Sequence, residues 1–249
     1  MSDDPKPEGN QPAAARPSRQ PIFLLPWPIT ALCGLLLAIQ LASSLVLNED
    51  GRQMMLTWLA FVPYRLVDQT AYLGGWVPLI WTTFTHAFLH AGWEHVGGNI
   101  VWLAIFGTPV AQRYGAVRTY ALFLIGAGVG AWAFALTSHG PDEYLVGASG
   151  GIAALTGAAV RFIFQPAVVV IDEATGERKL LGRHLATLGQ FVRNPTAGVF
   201  SLMWIVLNGI VPILPAMAGA LGFAVAWQAH IGGFLAGLLL VPLFERRHQ

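Results

Sequence analysis

LVGASGGIAALTGAAV, residues Leu145–Val160, contains no charged side chain, and Ser149 stands in it among glycines and alanines. Ser149, Ala153 and Gly157 recur at i, i+4 and i+8, so a helix made from this run carries one face of small side chains. AWQAHIGGFLAGLLL, Ala226–Leu240, repeats the device with Ala229, Gly233 and Gly237, and His230 sits beside that stripe. Small residues at this spacing let two helix backbones approach closely in lipid, where association rests on van der Waals contact. The two segments read as apolar helices in contact, one bearing a serine and the other a histidine. The fold class that follows is an all-α polytopic membrane protein.

The chain around them has the same character. Of its 249 residues, 55% are hydrophobic and 11% charged, against roughly 25% charged in a soluble domain. The net charge of +1 lacks the concentrated basic surface of a nucleic-acid binder, so no nucleic acid is expected as partner. A single cysteine, Cys33, excludes an internal disulfide and reads as a small packing residue. A membrane helix takes about 20 apolar residues, and six such runs are present: Leu24–Leu47, His95–Ala111, Val117–Thr137, Tyr144–Phe164, Gly198–Ile213 and Ala220–Phe244. Residues 22–249 are thus expected to form a six-transmembrane-helix bundle. Residues 1–21, polar and Pro-rich, read as a disordered cytoplasmic tail. No basic region and cleavage site precede the first run, which reads as a retained anchor.

Charge orients the bundle. With the tail inside, Lys6, Arg16, Arg19, Arg113, Arg118, Arg161, Arg178, Lys179, Arg183, Arg193, Arg246 and Arg247 all fall on the cytoplasmic side. Only Arg52 and Arg65 fall outside, which places both termini in the cytoplasm. The outer loop 48–94 is too apolar for a solvated connection and reads as a re-entrant or interfacial element. In the cytoplasmic loop 165–197, AVVVIDEATGERKLL suggests a hairpin with its turn at Ala174–Glu177. After it, Leu185, Leu188 and Val192 share a helical face suited to the membrane surface. The alternative is a solvated connection with no role.

Ionisable and polar side chains inside a membrane are costly and therefore functional candidates. In these spans they are chiefly His95, Asn99, Ser149, Gln228 and His230, with hydroxyls such as Thr156 and Ser201. His95 and Asn99 lie on the second span, Ser149 on the fourth and His230 on the sixth, and all three spans run from outside to inside. At 1.5 Å per residue Ser149 is expected on the order of 8 Å below its helix start and His230 roughly 10–15 Å below its own. The four groups are thus expected to converge in the outer leaflet. His230 is the one plausible base for a Ser149 nucleophile. The Ser149 backbone N–H, Asn99 and His95 are candidate oxyanion donors. No acidic residue is buried in a span, so the catalytic unit reads as a dyad. Separately, Ser149 also fits a packing residue, His230 a bonded core histidine or proton relay, and Asn99 interhelical glue.

Two other patterns fail. Gly147–Gly151 fits G-x-S-x-G, but that motif needs a strand–turn–helix, whereas Ser149 opens a membrane helix. His86, His90 and His95 lack the H-E-x-x-H spacing of a zinc site, so no metal is expected, and His86 and His90 are assigned to ordering the outer loop.

FLHAGWEHVGGNIVWLAIFG (Phe88–Gly107), GASGGIAALTG (Gly147–Gly157) and AHIGGFLAGLL (Ala229–Leu239) resemble the three signature segments of the rhomboid family of intramembrane serine proteases, in order. The resemblance implies Ser149 as nucleophile, His230 as base, and His95 and Asn99 as oxyanion-hole residues. It implies a six-helix core wet from outside, transmembrane protein substrates entering from lipid, and no cofactor. Where some members carry an aromatic ring stacked on the catalytic histidine, this chain has Ala153, so His230 must be oriented otherwise. Other expectations to weigh are a non-proteolytic rhomboid-like protein that binds membrane clients, and a channel or transporter with His230 as proton relay. The location expected is a bacterial plasma membrane.

Overall fold

The computed structural model describes residues 25–138, 140–171, 176, 178–211 and 226–245. The tail expected over 1–21 lies outside the described residues. Helix α1 (Trp27–Leu45) begins with prolines at its first turn, where a missing N–H costs nothing. Its 19 residues extend roughly 28 Å, close to the thickness of a hydrocarbon core. Helix α4 (Trp93–Trp102) runs through a π-turn into α5 (Thr108–Ala135), and Gly115 at φ +74° breaks the combined rod. That break falls between the second and third runs read from the sequence.

By length and composition, three helical stretches among the described residues are able to cross a membrane: Trp27–Leu45, Trp93–Ala135 and Trp227–Phe244. The apolar helices α6 (Ser149–Val160) and Pro195–Ile210 are shorter. The latter comprises α8 (Pro195–Ile205), capped by the Asn194 side chain on the Ala197 N–H, and the π-turn Val206–Ile210. Helix α9 (Trp227–Leu240) closes the bundle.

The core forms around α6, whose residues Gly150–Val160 are all buried. It lies between α5 and α9. A Cβ placed on Gly237 would overlap the Ala154 carbonyl, and one on Gly233 the Gly150 carbonyl. The matching order of these contacts makes α6 and α9 parallel, so Ser149 and His230 stand at the same end. Large apolar side chains such as Leu35, Ile105, Val129, Leu202 and Leu239 face outward. An apolar exterior around a close-packed polar-poor core is the arrangement a bilayer solvates.

The connection from α1 to α4 is folded, as the apolar sequence of 48–94 demands. Helix α2 (Glu49–Leu59) is capped by Asn48 on the Gly51 N–H, and α3 (Leu79–Thr85) precedes a short 3₁₀ turn. Arg65, 0% exposed, donates to the carbonyls of Thr57, Leu73 and Gly75 at 2.7, 2.8 and 2.8 Å. Its guanidinium also lies 5.1 Å from the Tyr72 ring centroid. Converging carbonyl dipoles replace the water that a buried charge has lost.

At the opposite end, the expected hairpin is present as β1 (Ala167–Ile171) paired antiparallel with β2 (Arg178–Arg183), with a register shift at Val168/Val169. Of its expected turn, Ala174–Glu177, only Gly176 is described. Helix α7 (Leu188–Arg193) corrects the surface-helix expectation: Thr187 and Gln190 form a capping box, so the helix starts at Leu188 and excludes Leu185. Leu188 and Val192 remain exposed while Phe191 turns inward. Arg161, 3% exposed, ties this connection to the core by donating to the Ala186 carbonyl at 2.8 and 2.5 Å and to the Leu238 carbonyl at 2.6 Å.

Candidate active site

The segment that delivers Ser149 is not helical. Leu145 and Phe61 exchange two main-chain hydrogen bonds, Leu145 N–H to Phe61 at 2.8 Å and Phe61 N–H to Leu145 at 3.1 Å. Gly147 follows at φ +123°, which a side chain rarely tolerates. Helix α6 therefore begins at Ser149 itself and ends at Val160, correcting the expected Tyr144–Phe164 run and the serine's depth within it. The first helical bond is Ile152 N–H to the Ala148 carbonyl at 2.9 Å, so the N–H groups of Ser149, Gly150 and Gly151 precede the ladder.

The long connection holds this turn from two further points, one of them braced by a side-chain bond of its own. The Gly147 N–H donates to the His86 carbonyl at 2.9 Å. The His86 Nδ1–H donates to the Thr82 carbonyl at 2.8 Å. The Ala148 N–H donates to His90 Nε2 at 3.4 Å. Burial pushes the His90 imidazole down to about 4, with the neighbouring His95 ring adding to the effect. It is neutral at physiological pH and keeps the lone pair this bond requires. His86 is likewise pushed down to about 4 by burial. His86 through its main-chain carbonyl and His90 through its ring thus tie the outer loop to the turn ahead of α6.

His95 and Asn99, one turn apart on α4, both face this turn. A Cβ on Gly147 would stand 2.7 Å from His95 Cε1 and Nε2 and 3.8 Å from Asn99 Nδ2. The His90 and His95 rings meet edge-on with centroids 5.0 Å apart. Asn99 is 6% exposed, and its Nδ2 is buried with no hydrogen-bond partner. A native structure rarely leaves a donor in that state without a use for it.

His230 is half-buried in the first turn of α9, nearer the helix start than expected because the described helix begins at Trp227; residues 220–225 of the expected run lie outside the described residues. Its neighbour Ala229 presents a carbonyl that would stand 3.5 Å from a Cβ on Gly150. Ser149 and His230 thus each adjoin one main-chain contact between α6 and α9. No described hydrogen bond joins them. His230 Nδ1 lies instead 3.3 Å from the Asn208 carbonyl in the π-turn after α8. Sequence reading passed over Asn208, although an amide in the apolar run 198–213 was a signal of the same kind as Asn99.

An apolar-surfaced helical bundle with scarce polar groups gathered at the starts of three helices defines an integral membrane protein with a candidate hydrolytic site. The rhomboid domain model matches residues 78–247, and the chain belongs to the rhomboid family. RHOMBOID-like protein 5 of Arabidopsis thaliana is 25% identical over 259 residues, covering 95% of this chain and 74% of that protein. Rhomboid protease GlpG of Pectobacterium atrosepticum is 26% identical over 205 residues, covering 82% of this chain and 59% of that protein. Rhomboid-related protein 3 of Homo sapiens is 37% identical over 79 residues, 32% of this chain and 19% of that protein. The chain thus spans about three fifths of the bacterial relative's length.

Proposed function

We propose that this protein is an intramembrane serine protease that hydrolyses peptide bonds in or near transmembrane segments of other membrane proteins. In this reading six helices span the bilayer of a bacterial plasma membrane, the N- and C-termini are cytoplasmic, and the Ser149 end opens to water outside. Substrate helices arrive laterally from lipid. Ser149 Oγ attacks the scissile carbonyl while His230 takes its proton. The Ser149 N–H, Asn99 Nδ2 and His95 hold the oxyanion. His230 then protonates the leaving amine, and water releases the acyl group by the reverse sequence.

The observation that carries this reading is the buried, unpartnered Asn99 Nδ2, which faces the Gly147 turn leading into a serine whose N–H lies ahead of the helix ladder. An oxyanion formed on a carbonyl attacked by Ser149 would satisfy both donors at once. A fluorophosphonate tests it directly: Ser149 Oγ displaces fluoride at phosphorus and keeps the phosphonyl group. Mass spectrometry should find the adduct on Ser149 in the wild-type protein and none in His230→Ala. Wild-type protein that stays unlabelled in lipid would sink the proposal and favour a client-binding role.

Asn99→Ala should lower kcat by about 10²–10³-fold with little change in KM, the usual cost of an oxyanion donor. Because the amide lacks a partner in the resting protein, its removal should leave the thermal midpoint unchanged or higher. Joint measurement of turnover and unfolding separates the two; a fall in stability with normal kcat would make Asn99 a structural residue.

A further inference from the structure

A histidine acting as a base must keep one ring nitrogen unprotonated, and something must hold the proton on the other. A Ser-His-Asp triad uses a carboxylate for this. Here Ala153 offers no ring to stack on His230. The partner present is the main-chain carbonyl of Asn208, 3.3 Å from His230 Nδ1. A carbonyl only accepts, so Nδ1 carries the hydrogen and Nε2 keeps its lone pair.

The turn that carries this carbonyl is built for the purpose. In Val206–Ile210 the helix is of π type, and the Val211 N–H reaches back to Val206 rather than to Leu207. That displaces the hydrogen-bond ladder by one residue and bends the helix locally. The Asn208 side chain donates from Nδ2 to the Trp204 carbonyl at 2.9 Å, which ties the residue back to the preceding turn of its own helix. Gly209 is buried, and a Cβ there would stand 2.9 Å from Ile231 Cδ1, so the turn seats directly beside the histidine. One turn away, Trp204 stacks on Phe234 with centroids 4.6 Å apart and planes 20° from parallel. Trp204 and Asn208 on one helix therefore meet Phe234 and His230 on the other as two successive rungs.

We propose that the π-turn following α8 is the positioning element of the base: the Asn208 carbonyl holds His230 in the Nδ1–H tautomer with Nε2 free for Ser149. The inference rests on the reading of His230 as base. It makes the seating of α8, whose Val199, Leu202 and Met203 are exposed, a condition for catalysis.

The test combines a spectroscopic signature with kinetics. In ¹⁵N-histidine-labelled full-length protein in lipid, the His230 signals, assigned by their loss in His230→Gln, should report a protonated Nδ1 and an unprotonated Nε2 at neutral pH. Asn208→Leu and deletion of Leu207 both favour a regular α-helix through the turn. Each should mix the tautomers and lower kcat on the order of 10–100-fold at unchanged KM, within the range of general-base contributions. Asn208→Ser, which still donates to the carbonyl four residues back, should restore both. A wild-type His230 protonated at Nε2, or variants with altered turns but unaltered tautomer and kcat, would overturn the proposal. Fluorophosphonate labelling of the same wild-type sample keeps the two questions apart. Labelled protein with the wrong tautomer rejects only the π-turn's role, whereas unlabelled protein rejects the protease reading. The wild-type tautomer is decisive even if a variant fails to fold.

Discussion

Replacing Ser149 by alanine should reduce cleavage of a model transmembrane substrate by about 10⁴–10⁶-fold, the scale on which loss of a serine nucleophile acts. The protein should remain folded, because no described hydrogen bond engages the Ser149 hydroxyl. The change removes one oxygen at the half-buried mouth of α6. What remains is a site that can bind and orient a substrate carbonyl with its oxyanion donors but cannot form the acyl-enzyme. Groups that act as one unit are not additive, so the Ser149→Ala, His230→Ala double variant should be no worse than the more damaged single variant. Cleavage is best followed by gel shift of a tagged substrate co-reconstituted in liposomes, with thermal unfolding measured on the same samples. If Ser149→Ala cleaves within tenfold of wild type, Ser149 is not the nucleophile. A client-binding protein would bind the substrate with and without the serine and cleave it in neither case.

The legibility of this site from sequence was uneven for physical reasons. Ser149, His230, His95 and Asn99 stood out because polar groups in apolar runs are rare and expensive. The contact of α6 with α9 was legible in the small-residue stripes, and their common direction was expected from the charge pattern. The start of α6 was not. Leu145 belongs to an apolar run by composition, yet its backbone pairs with Phe61, more than eighty residues earlier in the chain. No local periodicity encodes that pairing. Arg65 was misleading in the same way. It counted as one of two cations on the outer side, whereas its structural work is to gather three carbonyls inside the fold. Asn208 escaped because its contact with His230 runs through its main-chain carbonyl, and a π-turn leaves no periodic signature in so short a segment.

The second large effect is expected at Gly237. In lipid no hydrophobic force separates helix–helix from helix–lipid contact, so close approach of backbones carries the association. At Gly237 that approach is limited by main-chain atoms: an added Cβ would collide with the carbonyl oxygen, carbonyl carbon and Cα of Ala154. The added Cβ is fixed by the α9 backbone and cannot rotate away, and the Ala154 backbone cannot move without moving α6. Gly237→Val should therefore force α6 and α9 apart and cost about 1–3 kcal/mol, the usual price of overpacking. The effect on activity should be larger than the effect on stability. Ser149 and His230 lie at the ends of these two helices, and proton transfer needs them within about 2.6–3.2 Å. A displacement of about 1 Å typically costs about 10²-fold in rate, so cleavage and fluorophosphonate labelling should fall at least that far even in protein that remains folded. Gly98→Ala is the matched control, because a Cβ there meets nothing within 4 Å. It should leave cleavage intact and raise the unfolding midpoint slightly through helix propensity. Equal behaviour of the two variants would show that the contact of α6 with α9 does not set the reach from serine to histidine. Loss at Gly237 alone would tie the chemistry to a few tenths of a nanometre of backbone approach, set by a residue two turns from the base.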